Sequence, residues 1–372
     1  MAKKKVVKKG AAKKNARKRS PKKSPARAPL KRAPKKKSAS FRVHRRAKSV
    51  TPDAGKPIAK AKPPKPSKPA RKAKPYDVAP LGAMPPYAGP PLGAHISTAG
   101  GAAAAPPRAD LIGATAMQIF TKTPNQWKEP SITADEAMVF RTALAASGVK
   151  FTTSHDSYLI NLASPDPAIR DRSIDSFSRE VERCNILHLD ALVSHPGNFI
   201  DDRASGIARN ADGITQALET HPGPTRLLME GTAGQGTVIG STFEELADLL
   251  NQVPAALRAR IGICLDTCHL YSAGYDLVNE FAGVWTRFDD ILGLDRLGCL
   301  HLNDSKTPFG SHKDRHELIG DGSIGTGPFA KIINEPRLGH VAKVLETPKG
   351  DDMVTNDRRM LRMLRGFADA NA

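Results

Sequence analysis

Short apolar runs recur along residues 93–347, and most of them end in or near a histidine or a carboxylate. Eight runs are present: GAHIS (93–97), AMQIF (116–120), FTTSH (151–155), ALVSH (191–195), LLME (227–230), IGICLD (261–266), CLHLND (299–304) and KVLET (343–347). A buried strand of a parallel sheet is a continuous apolar run, and a polar residue at its end lies where the sheet meets solvent. The pattern therefore predicts strands with a polar site at their ends.

Amphipathic stretches separate the runs, with apolar residues three and four positions apart. The predicted helices are 134–146, 169–187, 206–218, 243–252 and 353–370. Alternation of strand and helix over eight units predicts an α/β fold, a TIM (β/α)8 barrel with its site at the C-terminal ends of the strands. Within 170–183 we expect charged residues outside and Ile174, Phe177 and Val181 inside.

Charge divides the chain at about residue 92. Residues 1–92 hold 30 Lys and Arg against Asp53 and Asp77, a net charge of +28, whereas the other 280 residues have a net charge of −8. The first part is rich in Lys, Ala and Pro, so it cannot bury enough surface to offset the entropy of ordering. We expect residues 1–92 to be a disordered basic tail with a Pro/Gly spacer, and residues 93–372 to be one folded domain.

The tail is typical of an arm that binds a polyanion through counterion release. Lys22 and Lys23 follow Ser20-Pro21, a sequence that resembles the SPKK-type repeats of linker-histone tails, and they are candidate DNA contacts. The alternatives are a solubilising tail or a targeting signal, since such runs also direct nuclear import. We expect a nuclear protein if the host is eukaryotic or viral, and otherwise a protein of the cytoplasm or nucleoid.

Cysteine usage and hydropathy indicate a soluble intracellular protein, which we expect to be a monomer. The four cysteines lie in or beside apolar runs without a CxxC pair: Cys184, Cys264, Cys268 and Cys299. They are typical of buried thiols in a reducing compartment and not of a disulfide scaffold. No apolar stretch reaches the ~18 residues needed to span a membrane, and the N-terminus lacks the apolar core of a secretory signal.

The residues at the strand ends are ligand types for divalent metals. His155 and His195 each close a run, Glu230 precedes a glycine-rich stretch, and Asp266 is followed three positions later by His269. The full set of candidate ligands is His155, His195, Glu230, Asp266, His269, His301, Asp314, His316 and Glu346. Five histidines and four carboxylates are too many for one tetrahedral ion and enough for two or three.

The charge of such a cluster favours an anionic substrate. Three divalent ions against four carboxylates leave about +2, which suits a phosphodiester clamped between close metals. A lone histidine in an apolar run, such as His301, is more often a satisfied core residue, but that explanation does not account for nine residues together. The histidines without a supporting motif are not assigned as ligands: His95, which we expect to line the site, His188, His221 and His340.

Several longer motifs overlap these positions. The most specific are DTCH…AGYD, HLNDSK and DRH, in that order, and the others are GAHISTAGG, the FTK…QW run at 120–127, HDSYLINLASP, HPG, TAGQG and LET. Together they resemble the endonuclease IV-type AP endonucleases (AP endonuclease family 2), which repair abasic DNA. The resemblance runs from about Gly93 to Thr347, most of the predicted folded domain.

The resemblance implies a TIM barrel that holds three Zn²⁺ ions per chain. By motif, the first ion takes His155, His195 and Glu230, the second takes Glu230, Asp266, His301 and Glu346, and the third takes His269, Asp314 and His316. It also implies base excision repair of double-stranded DNA, by hydrolysis of the phosphodiester 5′ to an abasic site to leave a 3′-hydroxyl, with 3′-end trimming as a further activity. Glu230 and Glu346 are the expected catalytic residues, which orient the attacking hydroxide.

The resemblance further implies DNA contacts in two loops. Tyr158 and Leu159 match positions that wedge into the gap of the damaged duplex, where a nucleotide without a base is easy to extrude. Asn125 and Gln126 match the first recognition loop, but Asn125 stands where the family has an arginine, which removes a charge from the DNA surface. Gly231 replaces an asparagine after the glutamate, which removes an amide that braces the metal ligands.

Two other classes share part of the pattern. A sugar isomerase or epimerase also uses a divalent-metal TIM barrel, but it needs a lysine or an acidic pair for proton transfer. A non-enzymatic, chromatin-type DNA-binding protein depends on the tail and requires none of the ligands. Metal content separates the classes: about three zinc ions for the nuclease, about two Mg²⁺ or Mn²⁺ for an isomerase, and none for an inert barrel.

Overall fold

Eight parallel strands close into a barrel in the computed structural model, which describes residues 82–369. In chain order they are β1 (Leu92–His95), β2 (Ala116–Ile119), β3 (Phe151–His155), β4 (Ala191–Ser194), β5 (Arg226–Glu230), β6 (Ile261–Asp266), β7 (Leu297–His301) and, after a short antiparallel pair formed by β8 (Asp304–Ser305) and β9 (His316–Glu317), β10 (Ala342–Leu345). The last strand, β10, pairs with β1 and closes the ring. The predicted TIM barrel is confirmed.

Helices connect the strands, as the amphipathic stretches predict. They are α1 (Ala105–Ile112), α2 (Ala134–Ala145), α3 (Pro167–Leu187), α4 (Arg203–Thr220), α5 (Phe243–Gln252), α6 (Thr267–Ala273), α7 (Phe281–Leu292), α8 (Thr326–Asn334) and α9 (Thr355–Asp369). Side chains fix several starts: Thr133 forms a capping box with Glu136 before α2, and Asp166 caps α3. Within residues 82–369, no helix is long and apolar enough to cross a membrane.

Helix α3 departs from the predicted distribution of charge. Phe177 and Val181 are buried as predicted, and Ile174 is half-buried, but Glu180 and Arg183 are buried as well. The expectation that the charged residues of this helix lie outside is therefore wrong for these two residues, whereas Asp171, Arg172, Asp175, Arg179 and Glu182 are exposed as predicted. Glu180 lies three positions after Phe177 and so shares its inward face, and buried charges of this kind persist only where they are paired.

Small and apolar side chains fill the barrel beneath the strand ends. Alternate residues of a strand share a face, so the residues two positions before Glu230, Asp266 and His301 point into the same interior. The cluster that they form with their neighbours is Ala116, Ala191, Val193, Leu228, Cys264, Cys299 and Val344. All four cysteines are buried and free, as expected.

The segment before β1 is tied to the last helix. Arg358 donates to the carbonyl oxygen of Gly82 (2.9 Å), and Arg365 donates to that of Pro85 (3.2 Å). The guanidinium group of Arg365 also lies 5.8 Å from the ring centre of Tyr87. Residues 82–91, which composition assigns to the spacer, therefore pack against α9. The candidate contacts Lys22 and Lys23 lie outside the described residues.

Candidate metal centre

The C-terminal ends of the strands bring all nine candidate ligands into three groups. Within each group the ligand atoms lie within 4.8 Å of one another, and the groups are His155–His195–Glu230, Glu230–Asp266–His301–Glu346 and His269–Asp314–His316. Two further groups of the same tightness include a thiol: Cys264–Cys299–His301 and Asp266–Cys268–His316. The side chains that the zinc assignment puts together are thus adjacent in space.

Glu230, at the end of β5, is the common member of two groups. Its Oε2 lies 3.1 Å from Nε2 of both His155 and His195. Its Oε1 lies 3.1 Å from Nδ1 of His301 and 3.3 Å from Nδ1 of His269. The carboxylate is fully buried, so one anion is surrounded by four imidazoles.

The third group is built by α6 and the segment that leads into β9. Asp314 places Oδ2 at 3.2 Å from Nε2 of His269 and Oδ1 at 3.1 Å from Nε2 of His316. Nε2 of His316 also lies 3.4 Å from Oδ2 of Asp266. Asp314 and His316, two positions apart, therefore lie on the same side of the chain, and the group adjoins the ligands of β6.

The buried carboxylates and imidazoles shift one another's pKa values. Burial lowers the pKa of His155, but its hydrogen bond with Glu230 and the charge of that carboxylate raise the pKa to about 9. Burial likewise lowers the pKa of His316, and the Asp266 carboxylate leads the contributions that raise it to about 9. Burial raises the pKa of Glu346, but the charge of His301 holds it well below its usual range. The Glu346 carboxylate therefore stays ionised, as a ligand of a cation must.

Three buried histidine nitrogens without hydrogen-bond partners indicate whether the residues fit a metal ion. The Nε2 atoms of His195, His269 and His316 are buried and have no hydrogen-bond partner within the described part of the chain, although each lies close to a carboxylate oxygen. Buried polar atoms are normally satisfied. A divalent ion shared by the ring nitrogen and the carboxylate would satisfy both, so the donor set fits metal ions.

The backbone fixes which nitrogen of each ring faces the centre. Nδ1 of His155 donates to the carbonyl oxygen of Asp156 (3.0 Å), and Nδ1 of His269 donates to that of Gly231 (2.9 Å). Both rings therefore present Nε2 to the carboxylates, which is the usual arrangement of a metal-ligating histidine. Gly231, which has no side chain to brace the centre, still does so through its main chain.

Two amide side chains of the site escaped the sequence analysis. Gln118 is buried at the end of β2, where its Oε1 accepts from Nε2 of His301 (2.9 Å). Asn303 donates to Oδ2 of Asp266 (2.6 Å), and its Oδ1 accepts from the backbone N–H of Glu346 (2.9 Å). The available signals were a glutamine in the apolar run AMQIF and the asparagine of HLND. Both residues orient candidate ligands.

The remaining histidines fall at different places. His95 lines the central cavity, with Nδ1 3.7 Å from Oε1 of Glu346, but it belongs to none of the metal-type groups among residues 82–369. His188 and His221 cap the C-terminal ends of α3 and α4. His340 donates to the carbonyl oxygen of Leu294 at 3.2 Å. Of these four histidines, His95 is the one that lines the cavity beside the centre.

A cavity of about 880 Å³ opens above the centre, and the candidate DNA contacts lie at or near its rim. Tyr158 lines the cavity, is 67% exposed, and packs edge-on against Phe120 with ring centres 5.5 Å apart. Leu159 beside it is half-buried. Asn125 and Gln126 are exposed on the loop between β2 and α2. The cavity therefore gives an extended ligand a path to the buried clusters.

A closed (β/α)8 barrel with histidine and carboxylate clusters at its C-terminal face defines a TIM-barrel protein with a candidate metal site. The AP endonuclease 2 family model, described as a xylose isomerase-like TIM barrel, matches residues 108–365. A probable endonuclease 4 of Chloroflexus aggregans is 42% identical over 287 residues, which cover 76% of this chain and 99% of the relative. The chain belongs to the endonuclease IV family.

Solved structures agree with this assignment. The crystal structure of endonuclease IV from Thermus thermophilus matches with a TM-score of 0.68 and 35% identity, covering 76% of this chain and 100% of that one. A D-tagatose 3-epimerase-like protein matches with a TM-score of 0.56 at 14% identity, covering 76% of this chain and 100% of its own. The second match shows a shared fold alone and does not support the isomerase alternative.

Proposed function

We propose that the chain is a zinc-dependent apurinic/apyrimidinic endonuclease of base excision repair. It hydrolyses the phosphodiester 5′ to an abasic site in double-stranded DNA and leaves a 3′-hydroxyl, and we expect 3′-end trimming at the same site. The observation that carries the proposal is the set of three adjacent groups, two of which share Glu230, at the floor of an open cavity. Relatives that cover most of the chain are named as probable endonuclease 4.

Three zinc ions are the proposed occupants of the three groups. Imidazole and carboxylate are common zinc ligands, and the buried, unpartnered Nε2 atoms support the assignment. When bound, the ions would polarise the phosphate and acidify a water molecule. The protein supplies the four carboxylates that offset the charge and the backbone carbonyls that aim His155 and His269.

Glu346 is the better placed of the two candidate catalytic carboxylates. Its side chain is 17% exposed and lines the cavity, whereas that of Glu230 is fully buried among four imidazoles. The depressed pKa of Glu346 keeps it an acceptor that can orient a water proton at neutral pH. We assign that orienting role to Glu346 and assign to Glu230 the joining of two metal positions.

DNA binding is proposed at the rim of the cavity and through the tail. A missing base lowers the cost of extruding the nucleotide, so Tyr158 and Leu159 need only fill the gap that it leaves. Asn125 and Gln126 are proposed to meet the backbone without the charge of an arginine. The tail, which includes Lys22 and Lys23, would add sequence-independent affinity. We propose a monomer that works in the nucleus or nucleoid.

Nicking of a duplex with one abasic analogue, with and without a chelator, tests the proposal. The metal-loaded protein should cut only the damaged strand, and the chelator should abolish cutting. The matched control is Glu346→Gln, which keeps the shape of the side chain and should lower kcat. Failure of the metal-loaded protein to cut contradicts the proposal. Metal analysis then separates the classes, since an isomerase would hold about two Mg²⁺ or Mn²⁺ and an inert barrel none.

A further inference from the structure

A network of paired charges lies behind the loop that joins β2 to α2, residues 120–133. Lys122 forms a short ion pair with Glu129, seven positions along the same loop. Nη1 of Arg183, on α3, donates to Oε2 of Glu129 (2.8 Å), while its Nη2 lies 3.0 Å from Oε2 of Glu180. Thr121 also donates to Glu180. The two ends of the loop are thus joined to each other and to one helix.

Burial separates this network from ordinary surface ion pairs. Lys122 is 7% exposed, Arg183 2% and Glu180 0%. Ser176 on α3 completes it, because its hydroxyl accepts from Lys122 (3.0 Å) and donates to Glu129 (2.7 Å). Charges buried in this way are screened little by salt and hold their geometry.

The guanidinium group of Arg183 contacts three side chains and donates hydrogen bonds to two of them. Nε donates to Thr121 (2.9 Å), and Nη1 and Nη2 reach Glu129 and Glu180. The planar guanidinium group holds several N–H donors in fixed directions and can contact three side chains at once, whereas the single ammonium group of a lysine cannot. The arrangement therefore fixes positions as well as balancing charge.

The part of the loop beyond the network projects toward the cavity. Lys122, Thr123 and Pro124 line the cavity, and Asn125 and Gln126 follow at the exposed tip. Trp127 is held from the side, with the guanidinium of Arg172 4.7 Å from its ring centre. The carbonyl oxygen of Pro124 accepts from the hydroxyl of Ser157, next to Tyr158. The loop tip and the Tyr158 loop are therefore coupled.

We propose that Lys122, Glu129, Glu180 and Arg183 form a clasp that holds the β2–α2 loop in its DNA-binding shape before substrate arrives. Glu129 and Arg183 are then positioning residues for the substrate, and this inference rests on the proposed function. Ordering a loop during binding weakens the affinity for the substrate, and a loop that is already ordered avoids that loss. The clasp is especially useful here because Asn125 contributes no charge to binding.

Tryptophan fluorescence and kinetics together test the clasp. The chain has two tryptophans, and Trp285 is fully buried, so a soluble quencher such as acrylamide reaches mainly Trp127. Glu129→Gln and Arg183→Lys should increase quenching and raise KM for the abasic duplex about tenfold, as expected when one or two side chains must be ordered on binding. Metal content and kcat should stay at wild-type values.

The control is Arg179→Gln, which breaks an exposed pair with Asp175 on the same helix and should change neither quenching nor KM. Unchanged quenching in Glu129→Gln overturns the clasp whatever the activity. Increased quenching with an unchanged KM overturns the positioning role. Thermal melting identifies a variant that is globally unfolded. In that case Glu129→Asp, which keeps the charge, should show quenching closer to the lower wild-type level. Absence of nicking by the wild-type protein refutes the proposed function, while the quenching result still reports on the clasp.

Discussion

Gln118 donates a hydrogen bond from Nε2 to Oε1 of Glu346 over 2.5 Å, although the two residues lie 228 positions apart. The other end of the same amide, Oε1, accepts from Nε2 of His301. The proton of His301 is thereby held on Nε2, which leaves Nδ1 free to face Glu230 and Glu346. One amide, far from both in sequence, therefore sets the orientation of two candidate ligands.

Replacing that amide should weaken metal binding without removing a ligand. We expect Gln118→Met to lower the affinity of the centre about 10–100-fold, the usual cost of losing a residue that orients a metal ligand. Competition with a chelator, followed by metal analysis, measures the change. Gln216→Met is the control, because Gln216 is exposed on α4 and bonds only to Asp212. Equal metal retention in both variants would contradict this role for Gln118.

The sharing of Glu230 predicts an unequal loss of metal from two isosteric variants. Glu230 is a member of two groups, whereas Asp314 belongs to one. Glu230→Gln should therefore release about two of about three zinc ions per chain, and Asp314→Asn about one, given that a structural zinc needs about four donors. Metal analysis after gel filtration counts the ions. Identical losses would show that Glu230 does not join two positions.

The basic tail should set the salt dependence of DNA binding. Deletion of residues 1–75 removes all 30 basic residues of the tail and leaves the segment that packs against α9. We expect weaker binding to duplex DNA and a smaller slope of log affinity against log salt, by about 0.9 for each lost phosphate contact. Titrations at several salt concentrations measure both. If affinity and slope do not change, the tail does not contribute to DNA binding.

Lys343 makes the stability of the barrel depend on pH. Its Nζ is buried and donates to the carbonyl oxygens of Leu338 (3.0 Å) and Val341 (2.9 Å), and burial lowers its pKa to about 8. The unfolded chain, with a lysine pKa of about 10.4, binds more protons than the folded chain between these values, so this group makes stability rise with pH across that window.

The change attributable to Lys343 should be about 2–3 kcal/mol in the free energy of unfolding between about pH 8 and pH 10. Lys343→Met should remove it, because methionine is apolar and does not titrate. Urea unfolding of both proteins at several pH values gives the difference. Parallel curves for the two proteins across this range would show that burial does not shift the lysine.

Hydrophobic patterning was sufficient to predict the barrel and its polar face. The five predicted helices form with ends shifted by at most three residues, because each is both amphipathic and bounded by turn-forming sequence. Patterning failed at Glu180 and Arg183. Helical spacing predicts which residues face inward, but it does not show whether a charged residue on that face can form an ion pair. Their partners, Thr121 and Glu129, belong to a loop far away in sequence.

The candidate site was accessible to sequence analysis only in part. The ligand types were visible at strand ends, but their sorting into three groups came from the family resemblance, because spacing along the chain does not encode distance around a ring. Gln118 was missed because a glutamine in an apolar run has no distinctive chemistry until His301 and Glu346 are seen beside it. The DNA-contact residues remain predictions.

The pairing of β1 with β10 ties catalytic competence to the completion of the chain. A polypeptide still being synthesised, or cut short before residue 346, lacks a member of the central group and has an open ring. Such long-range closure is a slow step in folding. Metal binding would stabilise only the closed barrel, because the open chain does not bring the ligands together. An incomplete chain is therefore expected to lack nuclease activity, because the same C-terminal segment completes both the barrel and the central group of ligands.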